Sequence, residues 1–247
     1  MPPAITIDGL EVNYGDAVAL CDVRFTLPVG TSLAVIGPNG SGKSTLLGAL
    51  AGIVEPSAGT MAVAGDVPTL VLQTTEVDKS LPITVRDAVS MARYPTLGLF
   101  RRFRSVDREA VHIAMRRMAI EDLANRQIHE LSGGQRQRVL VAQGLAQDTN
   151  VLLLDEPVTG LDMTSLAKIL DVIDEEVEAG RTVVLTTHSL EEARRCNQVL
   201  LLDTTQIAFG SPDEVLIERH LRETFGGAFV RVGDKLILDD PHHHHAH

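Results

Sequence analysis

The nine residues Gly37-Pro38-Asn39-Gly40-Ser41-Gly42-Lys43-Ser44-Thr45 constrain this chain more than any other stretch. They follow the apolar run Leu33-Ala34-Val35-Ile36 and lead into Leu46-Leu47-Gly48-Ala49-Leu50-Ala51, so a glycine-rich loop is set between a buried strand and a helix. Glycines there let backbone N–H groups turn inward on a phosphate, and the helix starting near Lys43 adds its positive dipole end. The Lys43 ammonium suits the β and γ phosphates of a triphosphate, and the Ser44 hydroxyl suits magnesium. An ordinary turn before a helix would call for neither group.

Apolar residues make up 44% of the 247, enough for one sizeable α/β core with a smaller insertion. The formal charge of −11 disfavours non-specific contact with nucleic acid. Cys21 and Cys196 stand in neither metal-ligand nor CxxC spacing, which suggests reduced thiols in the cytosol. No apolar run approaches the ~20 residues of a membrane span, and the opening residues lack the regions of a signal peptide. Any membrane link is therefore expected to go through a partner.

Residues 5–12 and 17–27 read as two strands joined by a turn, an antiparallel edge ahead of the loop. Tyr14 lies in that turn and either stacks on an adenine ring or plugs the sheet. After a turn at 56–59, strands are expected at 60–64 and 68–73, the second ending in Gln73. Its amide could reach a metal or an attacking water, or merely close the strand. From 81 to 130 the composition turns helical and basic, with helices at 84–91 and 105–119. In the second, Val106, Ala110, Ile113, Ala114 and Met118 share one face and Ser105 is the expected N-cap. Between the helices, Tyr94, Phe100 and Phe103 mix with Arg93, Arg101, Arg102 and Arg104, a composition that favours a protein-docking surface over a solvated loop.

Leu131-Ser132-Gly133-Gly134-Gln135 opens a further helix and forms either a second anion-binding helix end or a plain cap. The buried-strand run 151–154 delivers Asp155 and Glu156 to the carboxyl edge of a parallel sheet, beside the crevice where nucleotides sit. There Asp155 would hold the magnesium shell and Glu156 would polarise the water that attacks the γ-phosphate. Gly160-Leu161-Asp162 starts a long helix, and the strand 182–187 ends in His188, placed to sense the γ-phosphate through its ring N–H. Strands at 199–203 and 206–209, a helix opening at Pro212 and a hairpin over 229–238 complete the chain. The closing tract His242 to His247 is a metal binder in principle, or a tag or disordered end.

Taken together, these residues resemble the ATP-binding subunit of an ABC transporter over about residues 4–220. The likeness rests on Walker A at 37–45, the Q-loop at Gln73, the signature at 131–135, Walker B ending in Asp155 and Glu156, the D-loop ending in Asp162, the switch histidine His188 and the adenine-stacking Tyr14. Gln143 stands where many relatives have arginine, and Ser189 follows His188 where aspartate is common. The resemblance implies a P-loop NTPase fold: a mostly parallel sheet with flanking helices, an N-terminal antiparallel β subdomain and an inserted α-helical subdomain. It divides the chain into a nucleotide-binding domain over 1–225, with the helical insertion at about 81–147, and a C-terminal hairpin and tail over 226–247. It further implies an ATP and Mg2+ dependent ATPase in a head-to-tail dimer with a second copy, each ATP held between Walker A (Gly37, Pro38, Asn39, Gly40, Ser41, Gly42, Lys43, Ser44, Thr45) of one copy and Ser132, Gly133, Gly134 and Gln135 of the other. Glu156, His188 and Gln73 would be catalytic, and Ser44, Gln73 and Asp155 would meet the metal.

The subunit would work at the cytoplasmic face of the membrane, docked on permease subunits and served indirectly by an extracytoplasmic binding protein. The stretch 81–102 resembles importers of zinc first, then manganese, and more loosely iron chelates. A soluble ABC protein with no permease, or an assembly protein without turnover, stands as the alternative.

Overall fold

The computed structural model describes residues 3–72, 82–97, 102–226, 229–232 and 235–238. The chain opens with β1 (Pro3–Tyr14) and β2 (Ala17–Pro28), then β3 (Ser32–Ile36), α1 (Lys43–Leu50), β4 (Ala58–Val63) and β5 (Thr69–Val71). A helical lobe follows: α2 (Val85–Met91), α3 (Tyr94–Leu97), α4 (Ser105–Arg117) and α5 (Gly133–Gln147). The chain then returns to the sheet with β6 (Val151–Leu154), α6 (Met163–Glu178), β7 (Thr182–Thr186), α7 (Leu190–Arg195), β8 (Gln198–Asp203) and β9 (Thr205–Gly210). It closes with α8 (Pro212–Val215), α9 (Glu218–Phe225) and the antiparallel pair β10 (Phe229–Val232) and β11 (Lys235–Leu238).

Among the described residues, nine strands form one sheet in the order β4-β1-β2-β9-β8-β3-β7-β6-β5. The run β8-β3-β7-β6-β5 is parallel throughout, while β4, β1 and β2 pair antiparallel. Fully apolar runs such as Val151–Leu154 go to the centre, because a parallel strand is covered on both faces. Alternate residues divide between two cores. Leu33, Val35, Val151, Leu153, Val184 and Leu200 pack with α1, β1 and β2. Ala34, Ile36, Leu152, Leu154, Val183 and Leu185 pack with α5, α6 and the helical lobe.

The α/β class with its antiparallel edge and helical insertion matches the sequence reading, but α4 is turned from the expected face. Val106 and Ile113 are exposed, while Asp107, Val111, Ala114 and Met115 are buried, and Met118 just beyond the helix is buried with them. Ser105 is the first helical residue and Arg104 the N-cap. The reason is the Asp107 carboxylate, which accepts the backbone N–H of Arg104 at 2.8 Å and pairs with Arg93 at 3.1 Å. A buried charge with two donors is satisfied, so the inward face includes a residue that hydrophobic periodicity counts as outward.

Candidate nucleotide site

The phosphate loop connects β3 to α1, and its shape follows from what surrounds it. Gly42 has φ +95 and forms the N-cap of α1 in the left-handed region. A Cβ there would lie 2.5 Å from the Ala19 carbonyl oxygen, so the β1–β2 ribbon that carries Tyr14 closes over the loop. Tyr14 pairs with Ala17 across the ribbon turn and its ring is exposed, open to stacking rather than plugged into the sheet. A Cβ on Gly37 would overlap the Leu202 carbonyl oxygen. The Ser41 hydroxyl is buried and has no hydrogen-bond partner among the described residues.

Lys43 is buried at the start of α1, and its Nζ donates to the carbonyl oxygens of Gly37 at 2.8 Å and Pro38 at 3.0 Å. Burial holds its pKa below the ordinary lysine value, against the opposing pull of the Glu156 and Asp155 charges. The ammonium thus bridges two carbonyls of the loop backbone within the field of two carboxylates.

Those carboxylates stand at the end of β6, where the Asp155 N–H donates to Val71 O at 2.9 Å. A Thr186 hydroxyl, which the sequence reading passed over as a strand residue, organises both. It donates to Asp155 Oδ1 at 2.7 Å and accepts the Glu156 N–H at 2.8 Å. Glu156 takes φ +46, a left-handed conformation that a bulky residue adopts only when its surroundings impose it. The turn aims its side chain at His188, whose Nε2 lies 2.7 Å from Glu156 Oε1. That hydrogen bond is the main reason the Glu156 carboxyl sits below the usual range, with burial opposing and the Lys43 charge assisting. Lys43, Asp155, Glu156 and His188 therefore form one group. The Ser44 hydroxyl and Asp155 carboxylate are hard oxygen donors of the kind that suits magnesium travelling with a triphosphate. Gln73 lies outside the described residues.

A second group forms around the start of α5. Ser132 is its N-cap, accepting the Gln135 N–H at 3.2 Å while its own N–H donates to Gln135 Oε1 at 3.0 Å. Asp162 caps α6, accepting the Ser165 N–H at 2.9 Å and the Ser165 hydroxyl at 2.8 Å, and these bonds lower its pKa. A Cβ on Gly134 would strike this Asp162–Ser165 pair, so the two helix starts abut. Gly133, by contrast, faces open space.

On the helical lobe, Arg86, Phe103, Arg108, His112, Met115 and Glu121 line a cavity of about 480 Å³. Eleven arginines stand against six carboxylates between residues 81 and 147, in a chain whose formal charge is −11. Among the described residues no helix is long and apolar enough to cross a membrane.

Residues 20–159 match the family described as ABC transporter. The manganese transport system ATP-binding protein MntA of Synechocystis is 37% identical over 90% of this chain and 90% of its own length. YusV of Bacillus subtilis, named "Probable siderophore transport system ATP-binding protein", is 40% identical over 86% of this chain and 82% of its own length. Among solved structures, a chain of a metal-chelate type ABC transporter in an inward-facing conformation superposes with a TM-score of 0.84, at 29% identity and 96% coverage of both chains.

Proposed function

The chain belongs to the ABC transporter family, and from that premise we propose that it is the ATP-hydrolysing subunit driving import of a metal through a membrane permease. ATP hydrolysis is the activity of the family. The observation that carries the assignment of roles is the 2.7 Å bond between Glu156 and His188 at the carboxyl edge of the sheet, across from Lys43. In this reading Lys43 exchanges the Gly37 and Pro38 carbonyls for β and γ phosphate oxygens. Glu156 takes the proton of the attacking water, and His188 leaves Glu156 to donate toward the γ-phosphate. Ser44 and Asp155, with Gln73, would hold magnesium, which would supply charge against the phosphate oxygens. Tyr14 stacks on the base.

In this reading a permease docks on the basic groove of the helical lobe through an acidic segment, with the chain on the cytoplasmic face of the membrane. A second copy contributes Ser132 to Gln135 and Asp162. An extracytoplasmic binding protein delivers cargo to the permease. For the cargo, a manganese system and a siderophore system stand among the relatives, which favours manganese or an iron chelate over the zinc expected first from sequence.

The test is Glu156→Gln. ATP binding should persist while phosphate release falls at least a hundredfold, a typical scale for removing a general base. Full turnover in that variant would overturn the assignment. Uptake of manganese, zinc and ferric siderophore by vesicles holding the chain with its permease would decide the cargo.

A further inference from the structure

His188 has a task that its own packing cannot secure. Its side chain is 36% exposed, and its ring is joined to Glu156 by a single hydrogen bond. A half-buried ring with one hydrogen bond takes much of its placement from its backbone. On the strand side, the Thr187 N–H donates to Val35 O at 3.2 Å, carrying the β3–β7 ladder up to His188. On the far side, the Ser189 N–H donates to the Thr187 hydroxyl at 2.9 Å, which fixes the peptide after His188.

The Thr187 hydroxyl has one proton to give, and it gives it to the Glu192 carboxylate. Thr187 is 2% exposed, so neither bond competes with bulk water. Glu192 is held in turn by its N–H, which donates to the Ser189 hydroxyl at 3.3 Å. The ring of contacts therefore runs from Thr187 to Glu192 to Ser189 and back to Thr187 around the backbone of His188, and the Glu192 charge also acts on the His188 ring.

We propose that Thr187, oriented by Glu192, is a positioning residue for hydrolysis that sets where the His188 ring stands relative to Glu156 and the γ-phosphate. The inference rests on the reading of His188 given above. Loss of the hydroxyl frees the Ser189 peptide, and a displacement on the order of 1 Å in a reacting group can lower turnover by about a hundredfold. ATP affinity should be little affected, because none of the three residues belongs to the phosphate loop.

The experiment compares Thr187→Val, Thr187→Ser, His188→Ala and the double variant Thr187→Val/His188→Ala in Mg-ATP hydrolysis. Valine keeps the β-branched shape and removes only the hydroxyl. The expected result is a kcat reduced about tenfold to a hundredfold with KM unchanged within about twofold, recovery in Thr187→Ser, and no further loss when Thr187→Val is added to His188→Ala. A loss of equal size in the two backgrounds would show a general structural effect and overturn the proposal. Normal kcat in Thr187→Val beside a crippled His188→Ala would overturn it while leaving the reading of His188 standing. Normal hydrolysis in His188→Ala would overturn both. Should Thr187→Val fail to fold, Glu192→Met, which removes the acceptor without stranding a charge, is read by the same comparison.

Discussion

Glu176→Gln tests how the helical lobe is fastened to the core. Glu176 lies near the end of α6 with its side chain 2% exposed, bonded at once to Arg117 of α4 and to Arg181 just before β7. Arg117 also donates to Glu175 at 2.9 Å, and Arg181 donates from Nε to the Thr149 carbonyl at 2.8 Å and pairs with Asp148 at 3.4 Å. Glutamine keeps the volume and one acceptor oxygen but removes the buried negative charge between the two guanidiniums. Leaving a buried partner unpaired costs about 3–5 kcal/mol. The retained acceptor and the remaining carboxylates, Glu175 and Asp148, place the expectation at the lower end, about 3 kcal/mol. For a chain of this size that lowers Tm by roughly 6–12 °C. Arg195→Ala is the control, because its pair with Asp174 is 41% and 49% exposed and such a pair contributes less than about 1 kcal/mol. ATP affinity should not change, since Glu176 is fourteen residues from Asp162, about 21 Å along the helix. Differential scanning calorimetry and nucleotide titration read both quantities. A Tm drop no larger than the control's would refute the claim that this carboxylate holds the two parts together.

Two further outcomes follow from the site. Gly37→Ala places a Cβ against the Leu202 carbonyl, a backbone oxygen fixed in β8, and should cost about 1–3 kcal/mol and at least tenfold in ATP affinity, measured by thermal unfolding and nucleotide titration; unchanged affinity would count against the packing of the loop on β8. The Glu156 carboxyl is lowered chiefly by His188, so its contribution to stability is complete above its usual value of 4.5 and is lost as pH falls through the lowered one. With His188→Ala, burial acts with less opposition and the Glu156 titration should move upward, as followed by carboxyl carbon resonances; a midpoint that stays in place would contradict the bond.

The parts of this molecule that could be read from the chain are those where chemistry dictates residue type at fixed spacing. The phosphate loop, the run into Asp155 and Glu156, and the helix starts beside Ser132 and Asp162 stand where the residues alone put them. What escaped reading depends on partners far along the chain. Thr186 looks like any β-branched strand residue until Asp155, 31 positions away, is laid beside it. Arg117 and Glu176 are 59 residues apart, and neither charge hints at burial. The turn of α4 was missed for the same reason, because Asp107 goes inward only with Arg93 at hand to meet it. Local pattern reports what a segment can do alone, whereas these residues are placed by what the rest of the fold supplies.

On the proposed function, the two cores explain why the fold would call for a partner. Alternation along β3, β6 and β7 sends Leu33, Val35 and Leu153 to the side that holds α1, and Ala34, Ile36 and Leu154 to the side that holds α5. The phosphate-loop helix and the signature helix are thus packed on opposite faces of one sheet, and no loop movement brings both onto the same γ-phosphate without unpacking a core. Burial at about 25 cal/mol per Å² makes that prohibitive for four apolar residues of α1 alone. Gly134 against Asp162 and Ser165 further ties the signature end to the start of α6, so it presents itself as a block facing outward. On the proposed function, a second copy is then the natural source of the missing half of each site, and nucleotide becomes the contact between them.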